Sequence, residues 1–125
     1  MTTAPIGRLQ RKSLRSPDEV RSLPRLRVEV VRIGERSLMR ATFEPGWKWS
    51  EHVKPTVGTS SCEVAHVGYL ISGRLATRMN DGAQLVFEPG DFVDIPPGHD
   101  GWVEGDEPAV FLDFVGGETY GKSRD

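Results

Sequence analysis

The sequence predicts an all-β domain, either a sandwich or a barrel of short strands. Apolar and polar residues alternate over several short runs, and a period of two is typical of half-buried strands. Turn sequences separate these runs and draw on 14 glycines and 9 prolines in a chain of 125 residues. No helical pattern lies between the runs, which excludes folds that alternate strands with helices. The length fits one domain.

The N-terminal part reads as a basic arm with a short helix, over residues 1–25. Residues 1–15 are polar and rich in arginine. Ser16 is then a suitable N-cap, Pro17 a suitable first helical residue, and two acidic residues follow in the first turn. Because Pro24 stops a helix, we expect this one to be short.

Eight apolar runs predict the strands that follow. They lie around residues 28–30 and at 38–43, 64–71, 74–79, 85–87, 92–95, 102–103 and 109–115. Asn80-Asp81-Gly82 predicts the clearest hairpin, since Asp-Gly supplies the positive φ angles of a tight turn. The segment 54–63 is the longest predicted loop. The strands define a domain over residues 26–116, followed by a polar tail at 117–125.

Charge is divided unevenly along the chain. Residues 1–40 carry ten basic and four acidic side chains, a net charge of +6, whereas residues 41–125 carry six basic and fourteen acidic ones, a net charge of −8. A basic arm on an acidic domain favours an arm packed on its own domain, a solvated arm or self-association; a weak contact with nucleic acid or membrane is the less favoured reading. The total of −2 gives no general attraction to nucleic acid, so we expect neither a nucleic-acid nor a membrane partner.

Histidine is the residue type that points to chemistry here. The sequence contains only three, His52, His66 and His99, and neutral imidazole is the commonest metal ligand in proteins. Because alternate residues of a strand point inward, three strands of one barrel would bring these rings together. The alternative is one buried core histidine and two at the surface.

Two segments resemble the motifs of the cupin superfamily. Gly90 is followed by five residues and then by Pro96-Pro97-Gly98, which matches most of the second cupin motif. The first motif is degenerate: Gly46 is followed by five residues and His52. His66 is followed by six residues and Gly73, and thus stands where cupins place a glutamate. The resemblance covers about residues 39–115. It implies a double-stranded β-helix, or jelly-roll barrel.

The departures from the cupin pattern concern the ligands. Lys54 stands at the position of the second histidine, and Gly101 at the position of the last one. His99 lies two residues before Gly101, which is one strand period, so its side chain faces the same side. All three histidines thus fall on or beside ligand positions. The resemblance implies that His52, His66 and His99 bind one divalent transition metal (Fe, Zn, Ni or Mn) in the barrel lumen.

Other side chains are candidates for ligand binding. Lys54 is either a lumen cation that holds an anionic ligand or an ordinary loop lysine. Trp47 and Trp49 either line the rim of a pocket or cover a sheet edge. Cys62, four residues before His66, is either a metal-binding or oxidisable thiol or a small buried hydrophobe.

The function predicted is that of a small metal-binding cupin that acts on or senses a small polar organic molecule in the lumen. No catalytic residue is assigned; if the protein is an enzyme, the resemblance implies an oxygenase, isomerase or decarboxylase. The alternative is a non-catalytic ligand-binding or structural barrel with a decayed metal site. Cupins usually pair, so we expect a homodimer. A single cysteine and the lack of a long apolar segment or secretory signal favour the cytoplasm.

Overall fold

The computed structural model describes residues 7–122, and its regular structure is mainly β. The strands are β1 (Glu19–Leu23), β2 (Leu26–Ile33), β3 (Arg36–Phe43), β4 (His66–Ser72), β5 (Leu75–Met79), β6 (Gln84–Phe87), β7 (Phe92–Ile95), β8 (His99–Val103) and β9 (Ala109–Asp113). Two one-turn helices, α1 (Trp49–His52) and α2 (Lys54–Val57), lie between β3 and β4. The eight predicted strands are found as β2 to β9.

The strands form two antiparallel sheets. One has six strands in the order β1-β2-β3-β9-β4-β7, and the other has three in the order β6-β5-β8. Buried side chains of both sheets, such as Val28 from the larger and Val103 from the smaller, belong to one hydrophobic cluster. The core therefore lies between the sheets, and the predicted all-β class is confirmed.

Strict alternation along β8 and β9 decides which side chains face this core. On β9, Ala109, Phe111 and Asp113 are buried, and the residues between them are half-buried. On β8, His99 is buried in the same alternating pattern. Successive side chains of a strand point to opposite faces. A carboxylate and an imidazole are consequently carried into the interior by the register of their strands.

The helix predicted near the N-terminus is wrong. Residues 19–23 form β1, which pairs antiparallel with β2 over its whole length. The Asp18 carboxylate accepts the backbone N–H of Arg32 at 2.8 Å instead of lying in a helical first turn. A helix that starts at Pro17 and ends before Pro24 has at most about two turns, which is too short to offset the cost of nucleation, so pairing with a long neighbouring strand is favoured.

The predicted division into arm, barrel and tail stays a prediction, but the large sheet begins inside the predicted arm, at β1. The Arg21 guanidinium of β1 donates hydrogen bonds to the carbonyl oxygens of Gly117 and Tyr120 in the C-terminal turn. The two ends of the described chain are thereby joined. Residues 1–6 of the arm and 123–125 of the tail lie outside the described residues.

The predicted hairpin is confirmed between β5 and β6. The backbone N–H of Met79 donates to the carbonyl oxygen of Ala83 at 2.8 Å, and Gly82 has a φ of +96°. That angle favours glycine. Among residues 7–122, no helix is long and apolar enough to cross a membrane.

Candidate metal centre

Three potential metal ligands meet in the interior, namely Cys62, His66 and His99. Their donor atoms all lie within 4.8 Å of one another, and all three residues are buried. The Sγ atom of Cys62 is 3.8 Å from Nε2 of His66, and the centroids of the two imidazole rings are 5.3 Å apart. We call this group the Cys62–His66–His99 cluster.

The backbone brings the cluster together from both sheets. His66 is the first residue of β4 in the larger sheet, and His99 is the first residue of β8 in the smaller one. Cys62 lies in the loop before β4 and pairs with His99: its N–H donates to the His99 carbonyl at 2.7 Å. Its own carbonyl accepts the N–H of Gly98, also at 2.7 Å. The cluster therefore sits where the starts of β4 and β8 face each other.

A buried carboxylate fixes the orientation of His66. The Nδ1–H group of His66 donates a hydrogen bond to Oδ2 of Asp113 at 2.5 Å. The other oxygen, Oδ1, accepts the N–H groups of Val115 and Gly116 at 3.0 and 2.9 Å. Burial acts to raise the pKa of Asp113, but the hydrogen bonds from His66, Val115 and Gly116 outweigh it, so the pKa lies below its usual value. With Nδ1 protonated, Nε2 keeps its lone pair beside Cys62.

The ring of His99 is fixed in the same tautomer. Its Nδ1–H donates to the carbonyl oxygen of Pro96 at 2.7 Å, which leaves the lone pair on Nε2. Burial lowers the pKa of His99 to about 4, against the opposing effect of that hydrogen bond. The imidazole is thus neutral at pH 7. Histidine binds metals as a neutral ring in which one N–H donates a hydrogen bond to an oxygen and the other nitrogen keeps its lone pair.

The cluster fits a transition metal in both distance and donor type. Tetrahedral bonds of about 2.0–2.1 Å to nitrogen and 2.3 Å to sulfur place such donors about 3.3–3.6 Å apart, so pairs of ligand atoms need to approach by a few tenths of an ångström to at most about 1.5 Å. Burial raises the pKa of the Cys62 thiol to about 12, so a bound cation has to displace its proton. Three protein ligands leave a fourth position open.

His52 does not join this cluster. It ends α1, and its Nδ1 accepts the backbone N–H of Lys48 at 3.0 Å. The predicted meeting of three histidines is therefore not found, because residues 49–57 fold into two short helices instead of continuing a strand. Lys54 starts α2, is exposed and is not among the residues that line the cavity between the sheets, so its prediction as a lumen cation gains no support.

A small cavity, which we call the inner cavity, lies between the sheets beside the cluster. Its volume is about 50 Å³, and its lining includes His66, His99, Trp47, Trp49 and Tyr120. Both tryptophans are buried, so they form its wall instead of a rim. The indole N–H of Trp47 is buried and has no hydrogen-bond partner among residues 7–122. At roughly 10–15 Å³ for each water centre, the inner cavity has room for a few water molecules.

Sequence reasoning missed the role of Asp113. The signal was present, because Asp113 interrupts the apolar run of residues 109–115 at a position that alternates inward with Ala109 and Phe111. For Cys62 the sequence left two possibilities open, and the structure places its thiol next to both histidines.

Comparisons with known proteins bear on the fold. No protein-family model matches the sequence, and no curated protein matches it. Among solved structures, the polyketide cyclase RemF from Streptomyces resistomycificus is similar at 17% identity and a TM-score of 0.61, covering 89% of this chain and 81% of RemF. A cupin-like protein from Thermotoga maritima is similar at 18% identity and a TM-score of 0.52, covering 74% of this chain and 69% of that protein. KdgF from Halomonas sp. is similar at 17% identity and a TM-score of 0.57, covering 82% of this chain and 88% of KdgF. The chain is therefore cupin-like in fold.

Proposed function

We propose that this protein is a small metal-binding cupin whose two sheets form a jelly-roll barrel. In this proposal the Cys62–His66–His99 cluster holds one divalent transition metal, and the open position binds a polar group of a small organic molecule. The supporting observation is that both histidines donate Nδ1–H to an oxygen, Asp113 in one case and Pro96 in the other. Both Nε2 lone pairs are thereby left for one metal beside the Cys62 sulfur.

The donor set narrows the choice of metal. One thiolate and two imidazoles suit Zn²⁺, Fe²⁺ or Ni²⁺ better than Mn²⁺, which prefers oxygen ligands. A metal bound here supplies Lewis acidity to a coordinated oxygen or lowers the pKa of a bound water. Asp113 holds the His66 ring in place, and the inner cavity has a mostly apolar wall with room for only a few water molecules. Catalysis (oxygenation, isomerisation or decarboxylation) and non-catalytic sensing share this first binding step.

Metal titration of single-histidine variants tests the proposal. Untagged protein, stripped with a chelator, is titrated with Zn²⁺ and Co²⁺, and we expect one equivalent to bind. His66→Ala and His99→Ala are expected to lose the metal while circular dichroism shows an intact β fold. His52→Ala is the matched control and retains one equivalent, because His52 lies off the cluster.

Two results contradict the proposal: wild-type protein that binds no metal under any supplementation, and His66→Ala protein that keeps full occupancy. Either result favours the alternative of a barrel with a decayed site. In that case the hydrogen bond between His66 and Asp113 would serve only to satisfy buried polar groups.

The homodimer and the cytoplasmic location stay predictions. They rest on the cupin resemblance, on the basic N-terminal half and on the single cysteine. Sedimentation velocity checks the first of these. A sharp monomer of 13.9 kDa that does not change with concentration counts against the dimer.

A further inference from the structure

A second and larger cavity adjoins the cluster at Cys62. It runs between residues 57–64 on one side and residues 119–122 on the other, and its volume is about 360 Å³. Cys62 is part of its lining, whereas His66 and His99 line the inner cavity. We call this second cavity the outer groove. The cluster thus adjoins two spaces of very different size.

Size separates the roles of the two spaces. Sites for small organic molecules have volumes of about 300–1,000 Å³, a range that includes the outer groove and excludes the inner cavity by a wide margin. At about 50 Å³, the inner cavity admits only molecules of a few atoms. An organic ligand that reaches the metal therefore needs the outer groove.

Two aromatic side chains separate the spaces, since Trp49 and Tyr120 line both. Tyr120 is 4% exposed, and its ring meets His66 edge to face with centroids 4.9 Å apart. The turn that carries Tyr120 is held to β1 by the Arg21 guanidinium. The wall between the spaces is consequently anchored at its backbone as well as by packing.

The residues that line the outer groove indicate the chemistry of a ligand that would fit it. Val57, Val64 and Tyr120 offer apolar surface. The groove also contains one carboxylate and one ammonium group, but both have partners. Glu63 accepts the Ser61 hydroxyl at 2.8 Å, and Lys122 lies 3.6 Å from a Glu19 oxygen. The two charges are opposite in sign, Lys122 is paired with Glu19, and Glu63 is exposed to solvent, so the lining has no net charge and favours an uncharged molecule with an apolar body.

We propose that the outer groove is the organic-ligand subsite of the metal centre. Its ligand is a neutral, largely apolar small molecule with one Lewis-basic nitrogen or oxygen, which approaches the metal from the Cys62 side. The inner cavity is left to water or to another molecule of a few atoms. This inference rests on the proposed metal site.

Two metal-binding probes of different size test the inference on Co²⁺-loaded protein. Azide, with three atoms, fits either space, whereas 4-phenylimidazole requires the outer groove. Binding is followed through the visible spectrum of Co²⁺. We expect both probes to bind the wild-type protein. Thr119→Trp fills the groove and weakens 4-phenylimidazole by about tenfold or more, the scale of a lost aromatic contact, while azide binding stays unchanged.

Glu118→Trp is the matched control, because it adds the same bulk to the same turn outside the groove lining. We expect it to bind both probes as the wild-type protein does. Co²⁺ stoichiometry and circular dichroism verify each variant, and Thr59→Trp replaces Thr119→Trp if the latter does not fold.

Failure of the inference is distinguishable from failure of the metal site. If Co²⁺ and azide bind but 4-phenylimidazole does not, or if it binds Thr119→Trp as tightly as the wild-type protein, the outer groove is not the ligand subsite. If the wild-type protein takes up no Co²⁺, the proposed metal centre is wrong, and the inference is wrong with it.

Discussion

The Nδ1 atom of His66 lies 2.5 Å from Oδ2 of Asp113, although 47 positions separate the two residues in the sequence. They meet because β4 and β9 are neighbours in the larger sheet and Asp113 pairs with Gly68, two residues beyond His66. Sheet register therefore sets the orientation of the imidazole.

Asp113→Asn is expected to lower metal affinity by about 10- to 100-fold, the usual effect of removing the partner that orients a ligand histidine. The amide keeps the shape and one acceptor oxygen but loses the negative charge. Competition against a chromogenic chelator measures the change. Asp94→Asn, at an exposed position of β7, is the control and keeps wild-type affinity. Equal affinity for Asp113→Asn and wild type would show that the pair does not tune the metal.

Gly116→Ala is expected to disrupt the hydrogen bond between His66 and Asp113 by steric clash. A Cβ at residue 116 lies 2.4 Å from Oδ2 of Asp113 and 2.8 Å from Nδ1 of His66, and both distances are shorter than real contacts. We expect a loss of about 1–3 kcal/mol in the free energy of unfolding, together with weaker metal binding. At the neighbouring Gly117, the nearest atom to an added Cβ is Cβ of Met39 at 3.2 Å, away from the pair. Urea unfolding measures the loss of stability, and metal titration measures the loss of affinity. A Gly117→Ala protein that binds metal as weakly as Gly116→Ala would contradict this interpretation.

Cys62→Ser tests the sulfur ligand. We expect the sulfur-to-metal charge-transfer band of the Co²⁺ protein to disappear, and Zn²⁺ affinity to fall by more than it does in Asp113→Asn, because a direct ligand is removed. The substitution nearly preserves side-chain volume at this buried position, so the fold is expected to persist. Retention of the charge-transfer band would exclude Cys62 as a ligand.

Glu19 is expected to contribute a pH-dependent part of the stability. Its hydrogen bonds with Arg21 and then with Arg32 lower the pKa of its carboxyl from 4.5 to about 2. A carboxyl with a lowered pKa stabilises the fold fully above its unfolded-state pKa, and the effect is lost as the pH falls toward the folded-state pKa. The stability advantage of wild type over Glu19→Gln should therefore shrink between about pH 5 and pH 2. Urea unfolding at several pH values checks this, and a constant gap would contradict it.

The sequence predicted most of the fold because its signals are local. Alternation around Val28 and Val30 marks β2, and Asp81-Gly82 marks a hairpin whose geometry needs glycine. β1 was missed because Ser16-Pro17 is a local helix signal, whereas the preference for a strand comes from pairing with β2. No pattern within residues 16–23 contains that information.

The site was predicted in part for a similar reason. His66 and His99 lie at strand starts, and alternation was enough to point them inward. Cys62, and not His52, is the third member of the cluster. This depends on how residues 49–62 turn between β3 and β4, and on the backbone pairing of Cys62 with His99 across 37 positions. Contacts of this range are set by the whole fold and leave no local mark in the sequence.

The backbone pairing of Cys62 with His99 has a thermodynamic consequence. Fixing the backbone of one residue costs about 1–2 kcal/mol, and two backbone hydrogen bonds, of 2.7 and 3.2 Å, already hold this pair in the folded chain. An arriving ion therefore has little chain to order, and its binding loses little conformational entropy. Such a site responds mainly to the radius and preferred geometry of the ion, because only side chains, and not the backbone of Cys62 and His99, adjust to the metal.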